Sequence, residues 1–316
     1  MNEPEQALVR EAMAYYDLAN PHTEMIRQNE NLTCRIIDGN NAYALRIRCP
    51  AQGFSLKIFG DQATAYQLMR GETDLLLHLS RTGSFPLQTP VLTKGGDPVC
   101  ILSDGSPACL LHWLEGETLK AEDGNRCAHA LGVLAARIHK AAEGFSGTRL
   151  HYSQELIRAM QKEIDVALLA SHLTARHASI CRGALNEISA VMTCLDGDAT
   201  SKGLIHADLG FNNVLCTPNG LAPIDFSLSG YGYKAQECGM IASNYSDTGQ
   251  RQAVYDGYAE ISGTVFDPHH TEAFFALSVL LFITSQHERF YRDEWFAPAM
   301  DRWCNTCFAP LNGETV

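Results

Sequence analysis

Residues 201–232, SKGLIHADLGFNNVLCTPNGLAPIDFSLSGYG, decide how the rest of the chain is read. Two short β-patterned runs, 213–216 and 222–226, flank Pro218-Asn219-Gly220, a turn-forming triplet in which Asn and Gly accept positive φ at little cost. A third run, 203–206, precedes them. His206, Asp208 and Asn213 then fall in the turn after the first run, and Asp225 falls at the end of the last. Oxygen-bearing side chains are thereby collected at the ends of neighbouring β-segments. A hard cation such as Mg2+ takes oxygen ligands and keeps waters and substrate phosphates in its shell, which suits an Asn carbonyl and an Asp carboxylate on adjacent loops. A second Asp, five residues before the Asn, can accept the proton of an attacking hydroxyl. The joint spacing carries the reading, because a lone Asp after a strand is ordinarily a turn former or helix cap.

Outward from this stretch the pattern is helical on both sides. Helical period predicts helices over 125–142, 154–169 and 175–195 before it, and over 249–262, 270–287 and 294–307 after it. The apolar cluster Phe274, Phe275, Leu280, Leu281 and Phe282 is core. His269 and His270 mark a loop or a helix start, and His139 is a packed side chain on its helix. The first third is strand-rich. After a helix over 5–17, alternating runs at 32–37 and 43–47 flank Asp38-Gly39-Asn40-Asn41, a hairpin signal. A helix over 62–80, strands at 91–93 and 99–102 around Gly95-Gly96-Asp97, and a strand at 109–114 complete it. The expected class is α+β, a small β-rich lobe (1–115) joined near Glu115-Gly116 to a larger, mainly helical lobe (116–316).

Composition excludes several functions. The chain has 316 residues, 46% hydrophobic and 19% charged, which is globular rather than disordered or disulfide-framed. Its formal charge of −12 lacks the clustered Lys and Arg that phosphate neutralisation requires, so no nucleic-acid partner is expected. The longest near-apolar run, 273–284, falls short of the ~20 residues of a bilayer span, so no membrane is expected. A polar, acidic N-terminus without an apolar h-region and 11 scattered cysteines are expected of a cytoplasmic chain with reduced thiols. Cys304 and Cys307 form one CxxC, and a zinc site would need a second ligand pair. No GxxxxGK[ST] is present, which excludes a P-loop enzyme. Gly230-Tyr231-Gly232-Tyr233-Lys234-Ala235 fits GxGxxG/A but lacks the surrounding βαβ unit of a dinucleotide site, and its glycines are expected to turn the chain sharply.

His206-x-Asp208-(four residues)-Asn213 matches the catalytic-loop spacing of protein-kinase-like enzymes, and Asp225-Phe226-Ser227 stands where their DFG stands, with Ser for Gly. Over about residues 25–290 the chain most resembles the aminoglycoside phosphotransferase and choline kinase-like family, through HADLGFNN and APIDFSLSG. Trp113 beside Leu114-Glu115-Gly116 is similar to the family's linker region. Leu131-Gly132, Ala135 and His139 are similar to its helix before the catalytic loop.

The resemblance implies a bilobal protein-kinase-like fold and transfer of the γ-phosphate of ATP to a small-molecule hydroxyl. It implies Asp208 as catalytic base, His206 as holder of the catalytic loop, and Asn213 and Asp225 as Mg2+ ligands. It implies Arg46 as the phosphate-contacting strand cation, Glu72 as its helix partner, and Trp113 with the strand 109–114 at the nucleotide. Lys57, in 55–58, is the alternative cation. The phosphate loop, within 29–42, holds only Gly39. Residues 231–316 carry 11 acids against 5 bases, which favours a cationic acceptor such as an amino alcohol or aminoglycoside; sugars and hydroxy amino acids stay open. Glu237, Asp247 and Glu288 are candidate acidic contacts for it. Two other readings remain: a catalytically silent relative that binds nucleotide or a partner, and a protein kinase, for which no APE-like activation segment follows Asp225.

Overall fold

Asn2 opens the first helix, α1 (Glu3–Ala14), with a reciprocal capping box: its side chain accepts from Glu5 N, and the Glu5 side chain accepts from Asn2 N. The computed structural model describes residues 1–28, 31–48, 56–60 and 62–313. Strands β1 (His22–Gln28), β2 (Asn31–Asp38) and β3 (Asn41–Arg48) follow as an antiparallel meander. The two-residue loop between β2 and β3 is possible because Gly39 takes φ 61°. Helix α2 (Ala65–Thr82) starts from a second capping box, Thr64 with Gln67. Strands β4 (Pro90–Val91), β5 (Cys100–Ile101) and β6 (Pro107–His112) close the sheet in the order β1-β2-β3-β6-β4, with β5 also on β6.

Strand alternation gives this sheet two buried faces. Leu32, Cys34, Ile36, Leu45, Ile47 and Leu110 pack with Val9 and Ala12 of α1 and with Tyr16 just after it. Ala44, Cys109 and Leu111 pack with Met69, Leu75, Leu76 and Leu79 of α2. The second face looks toward the rest of the chain, and the side chains that meet nucleotide chemistry in the reading above lie on it.

Past the short β7 (Glu117–Thr118) the chain becomes mostly helical. It runs through α3 (Ala121–Ala141), β8 (Leu150–His151), α4 (Gln154–Leu169), α5 (Ala175–Leu195), β9 (Lys202–Ile205), β10 (Val214–Thr217), β11 (Gly220–Pro223) and β12 (Gly230–Tyr233). Then come α6 (Lys234–Ala242), α7 (Thr248–Ser262), α8 (Pro268–Phe290) and α9 (Phe296–Trp303), a π-helical stretch (Cys304–Phe308) and a final short turn of helix. The β10–β11 hairpin carries β7 on its outer edge, and β12 lies between β8 and β9. Helices α4, α5 and α8 bury Met160, Ile164, Leu185, Ile188, Phe274, Leu277 and Leu280 in one core. Helices α3 and α7 approach backbone to backbone: a Cβ on Gly132 would lie 2.0 Å from Val254 O, and one on Gly257 2.0 Å from His129 O. His139 and His270 are placed as expected, packed on α3 and in the first turn of α8.

The structure departs from the sequence reading in identifiable places. Strand β1, the pairs β7 and β8, and helix α6 carry no clear period and were not expected. The runs at 91–93 and 99–102 are shorter strands that pair with β6, not with each other. Gly230 and Gly232 do not turn the chain; they lie in strand β12. They are glycine for want of space, since a Cβ on Gly230 would meet Leu150 O at 2.5 Å and one on Gly232 would meet Ile205 Cδ1 at 2.8 Å. Leu56–Phe59 is a 3-10 turn rather than a strand, and residue 55 lies outside the described residues, as do 29–30 of the phosphate-loop segment. The cysteines of the described residues are free thiols, and Cys304 and Cys307 belong to no cluster of metal-ligating side chains among those residues.

Candidate active site

The segment that follows β9 is held from beneath by one buried carboxylate. Glu237, on α6, is wholly buried, and its Oε2 accepts from the backbone N–H groups of His206 and of Ala207 (3.3 Å). Ala207 takes φ 63°, a conformation a β-carbon disfavours, and the two N–H bonds help fix it. Burial works to raise the Glu237 carboxyl, but the neighbouring His139 and His206 and the backbone donor hold it below the usual carboxylate range. His139 in turn meets the Tyr258 hydroxyl at 2.8 Å. Glu237 is therefore no acceptor contact, contrary to the sequence expectation; it is structural support for the catalytic-loop segment.

His206 is also fully buried. Its Nε2 donates to Ile224 O (3.1 Å), its Nδ1 accepts from Asp208 N (3.3 Å), and its ring lies 4.4 Å from that of Phe226. It ties the Asp208 turn to the Asp225 strand end and reaches no open space. Burial pushes its imidazole below the ordinary histidine range.

Asp208 is exposed and Asn213 nearly buried, and the amide nitrogen of Asn213 donates both to Asp208 O (3.0 Å) and to Asp208 Oδ2 (2.7 Å). This turns the Asn213 carbonyl oxygen away from Asp208. Asp225 takes φ 62° and ψ 69°, so the residue with the strained backbone is the Asp itself. Ser227 lies in an ordinary 3-10 turn, which is why no glycine is needed there.

Asp225 is matched by two guanidinium groups. Arg46 Nη2 lies 3.3 Å from Oδ1, and Arg27 Nη2 lies 2.6 Å from Oδ2. Burial opposes its ionisation, but Arg46 and then Arg27, helped by the Ser227 hydroxyl, bring the carboxyl down to about 2. Arg46 also donates from Nη1 to Glu72 Oε1 at 2.6 Å. Burial works against the Arg46 charge and these two carboxylates outweigh it. The predicted pair of strand Arg and helix Glu is thus assembled.

Lys57 is not in this cluster. It lies on the 3-10 turn, half-exposed, with Nζ 3.3 Å from Glu163 and 3.9 Å from Glu288. Glu288 is exposed beside Lys57 and is not among the residues lining the cavity at Asp208. Asp247 caps α7, accepting from Gln250 N at 2.9 Å. Trp113 follows β6 with its ring under Arg35 (4.7 Å), and it is not among the residues lining the cavities at Arg46 or Asp208.

Two arginines that shape this cluster escaped the sequence reading. Arg27 lies on the unexpected strand β1. Arg149 is almost fully buried and clamps four backbone carbonyls: Leu68 of α2 (2.7 Å), Phe226 (2.6 Å), Ser227 (2.8 Å) and Ser229 (3.0 Å). It links the helix of Glu72 to the turn after Asp225. Nothing in the local sequence distinguishes it from a surface arginine.

A cavity of about 440 Å³ opens over these groups. Arg27, Asp208, Asn213 and Asp225 line one side; Met240, Ser243, Asn244, Ser278, Phe282 and Trp303 line the other. Its carboxylates are those of Asp208 and Asp225 alone among the described residues, so the acidic excess of residues 231–316 does not reach it. The donor set, one amide carbonyl and a carboxylate of depressed pKa at neighbouring strand ends, is all oxygen and fits a hard divalent cation.

A bilobal kinase-like cleft with this cluster defines a class, and the comparisons agree. The sequence profile of the phosphotransferase enzyme family matches residues 24–274, and the chain belongs to that family. A homoserine kinase of Beijerinckia indica subsp. indica is 30% identical over 176 residues, which is 52% of this chain and 50% of the relative; one of Methylobacillus glycogenes is 31% identical over 142 residues, 45% of this chain and 41% of the relative. The matched parts span half the length of those relatives or less. Among solved structures, a microcompartment-associated aminopropanol kinase superposes with a TM-score of 0.77 at 18% identity, covering 98% of both chains. An amicoumacin kinase in complex with AMP-PNP, Ca2+ and its ligand superposes with a TM-score of 0.74 at 17% identity, covering 95% of this chain and 92% of that one. The fold is protein-kinase-like, as the sequence motifs implied.

Proposed function

We propose that this chain is an ATP-dependent small-molecule kinase that moves the γ-phosphate to a hydroxyl of a small hydroxy amino acid or amino alcohol. One observation carries the reading: Asp208, Asn213 and Asp225 converge on a single cavity with the Arg46–Glu72 pair beside it. Residues 1–115 serve as the nucleotide-binding lobe, with 109–114 and Trp113 at the base end, and residues 116–316 as the catalytic and acceptor-binding lobe.

Asp208 faces the cavity with its carboxyl group oriented by the Asn213 amide, and it aligns the acceptor hydroxyl and takes its proton. Arg46 presents fixed positive charge to phosphate oxygens. Asn213 and Asp225 would hold Mg2+, which would supply positive charge to the donor phosphates. Most of the rate enhancement then comes from positioning and charge stabilisation.

The acceptor class rests on two supports: the modest cavity, whose wall is part apolar and part neutral polar, and the similarity to homoserine kinases. A peptide acceptor is disfavoured because β12 runs directly into α6, with no docking segment between them. Among the described residues no helix is long and apolar enough to cross a membrane.

The test is Mg2+-dependent ADP release from ATP with pooled hydroxy amino acids, amino alcohols, aminoglycosides and sugars, for wild type and Asp208→Asn. Release that needs both a panel member and Asp208 is the expected result. ATP binding without release from any pool points instead to a silent relative, and no ATP binding at all removes the reading.

A further inference from the structure

Strand β1 carries one residue too many. Met25 pairs with Cys34 and Arg27 with Thr33, so Ile26 is the extra residue of a β-bulge. Side chains alternate between faces along a strand, and a one-residue slip moves every later side chain to the opposite face. Thr23 and Met25 stand opposite Ile36 and Cys34, whose side chains face α1. An unbulged strand would put Arg27 in that series. The bulge instead places it in the row Arg27–Thr33–Arg46 across three neighbouring strands, on the cleft face. Both arginines therefore reach the same carboxylate, each taking one oxygen of Asp225.

The two guanidinium groups differ in how easily they can leave. Arg46 has a side chain 9% exposed and is bound to Glu72, so its departure would strand a buried carboxylate. Arg27 lies on the edge strand with its side chain 47% exposed, so solvent receives it at little cost. A divalent cation at an oxygen of Asp225 competes with these guanidinium groups for the same carboxylate charge.

We propose that Arg27 is an exchangeable counter-cation: it neutralises Asp225 in the empty cleft, yields to a divalent cation there, and then turns to the phosphate oxygens of the donor nucleotide. The proposal rests on the kinase reading above. Arg27 thereby competes with the cation when no nucleotide is present, and nucleotide relieves that competition by offering Arg27 a new anion. Cation and nucleotide then bind cooperatively, each raising affinity for the other by the same factor.

The experiment measures Mn2+ binding to the full chain by electron paramagnetic resonance, without nucleotide and with a non-hydrolysable ATP analogue, for wild type and Arg27→Met. Without nucleotide, R27M binds Mn2+ about 2- to 5-fold more tightly, the worth of a partly exposed ion pair. At saturating Mn2+ it binds the analogue on the order of 10- to 100-fold more weakly, the worth of a charge-assisted phosphate contact. A general structural defect would weaken both, so the opposite signs are diagnostic. Unchanged or weaker Mn2+ binding by R27M overturns the proposal while leaving the kinase reading intact. Failure of the wild type to bind the analogue overturns both. Arg27→Gln carries the same comparison should R27M not fold.

Discussion

Arg46 Nη1 and Glu72 Oε1 meet at 2.6 Å although 26 residues of sequence separate them, and their side chains are 9% and 6% exposed. Breaking a buried pair from one side leaves the other charge uncompensated, at about 3–5 kcal/mol. Arg46→Met is therefore expected to lose about that much stability in urea unfolding, whereas Arg46→Met combined with Glu72→Leu recovers part of it. Strict additivity of the two single losses would show that the pair is not coupled.

Asp208 is the exposed carboxylate of the cluster and contributes to no core. Asp208→Ala is expected to lower turnover ~10²- to 10⁴-fold, the span of a general base, with nucleotide affinity retained. Turnover within a factor of about two of wild type would assign the proton transfer elsewhere.

Arg149 holds four backbone carbonyls, and its bonds to Phe226 O and Ser229 O are fully buried. Each buried acceptor left unpaired costs about 1–3 kcal/mol, so Arg149→Met should be among the most destabilising single changes in the chain. Its effect should reach the site as well, because the clamp joins α2, with Glu72, to the turn after Asp225. A variant with an unchanged urea midpoint would mean that these carbonyls find other donors.

Acid should weaken the fold in two stages. His206 is held below its ordinary value near 6.5, so the unfolded chain binds its proton first and stability falls as pH drops below that value. Glu237 is held below its ordinary 4.5, so its contribution is complete above that value and is lost as pH falls through its lower, folded-state value. Urea midpoints measured from pH 7.5 to 3.5 should decline over both ranges. Glu237→Gln should make the lower limb shallower and, by removing the charge that favours the His206 imidazolium, the upper limb steeper; a single limb confined to one range would count against one of the two assignments.

Much of the site was legible because its chemistry is local. His206, Asp208, Asn213 and Asp225 lie on one hairpin and the turn before it, where spacing along the chain and spacing in the fold nearly coincide. The helix boundaries at 154–169 and 175–195 were legible for the same reason: an amphipathic period is a property of consecutive residues. The Arg46–Glu72 pair was reached only through the family resemblance, since no local signal joins a strand residue to a helix residue. Glu237 was placed in the wrong role because an acid in a polar-looking segment reads as exposed; only packing of α6 under β9 buries it.

The sequence alone determined the class of fold and the spacing that brings His206, Asp208, Asn213 and Asp225 together, because these follow from short-range pattern and side-chain chemistry. Tertiary structure decided which charges meet. A single extra residue in β1 turned Arg27 toward Asp225, and a buried guanidinium at Arg149 was matched to carbonyls far away along the chain. Register and burial are properties of the assembled sheet and core, and neither is written in the order of neighbouring residues.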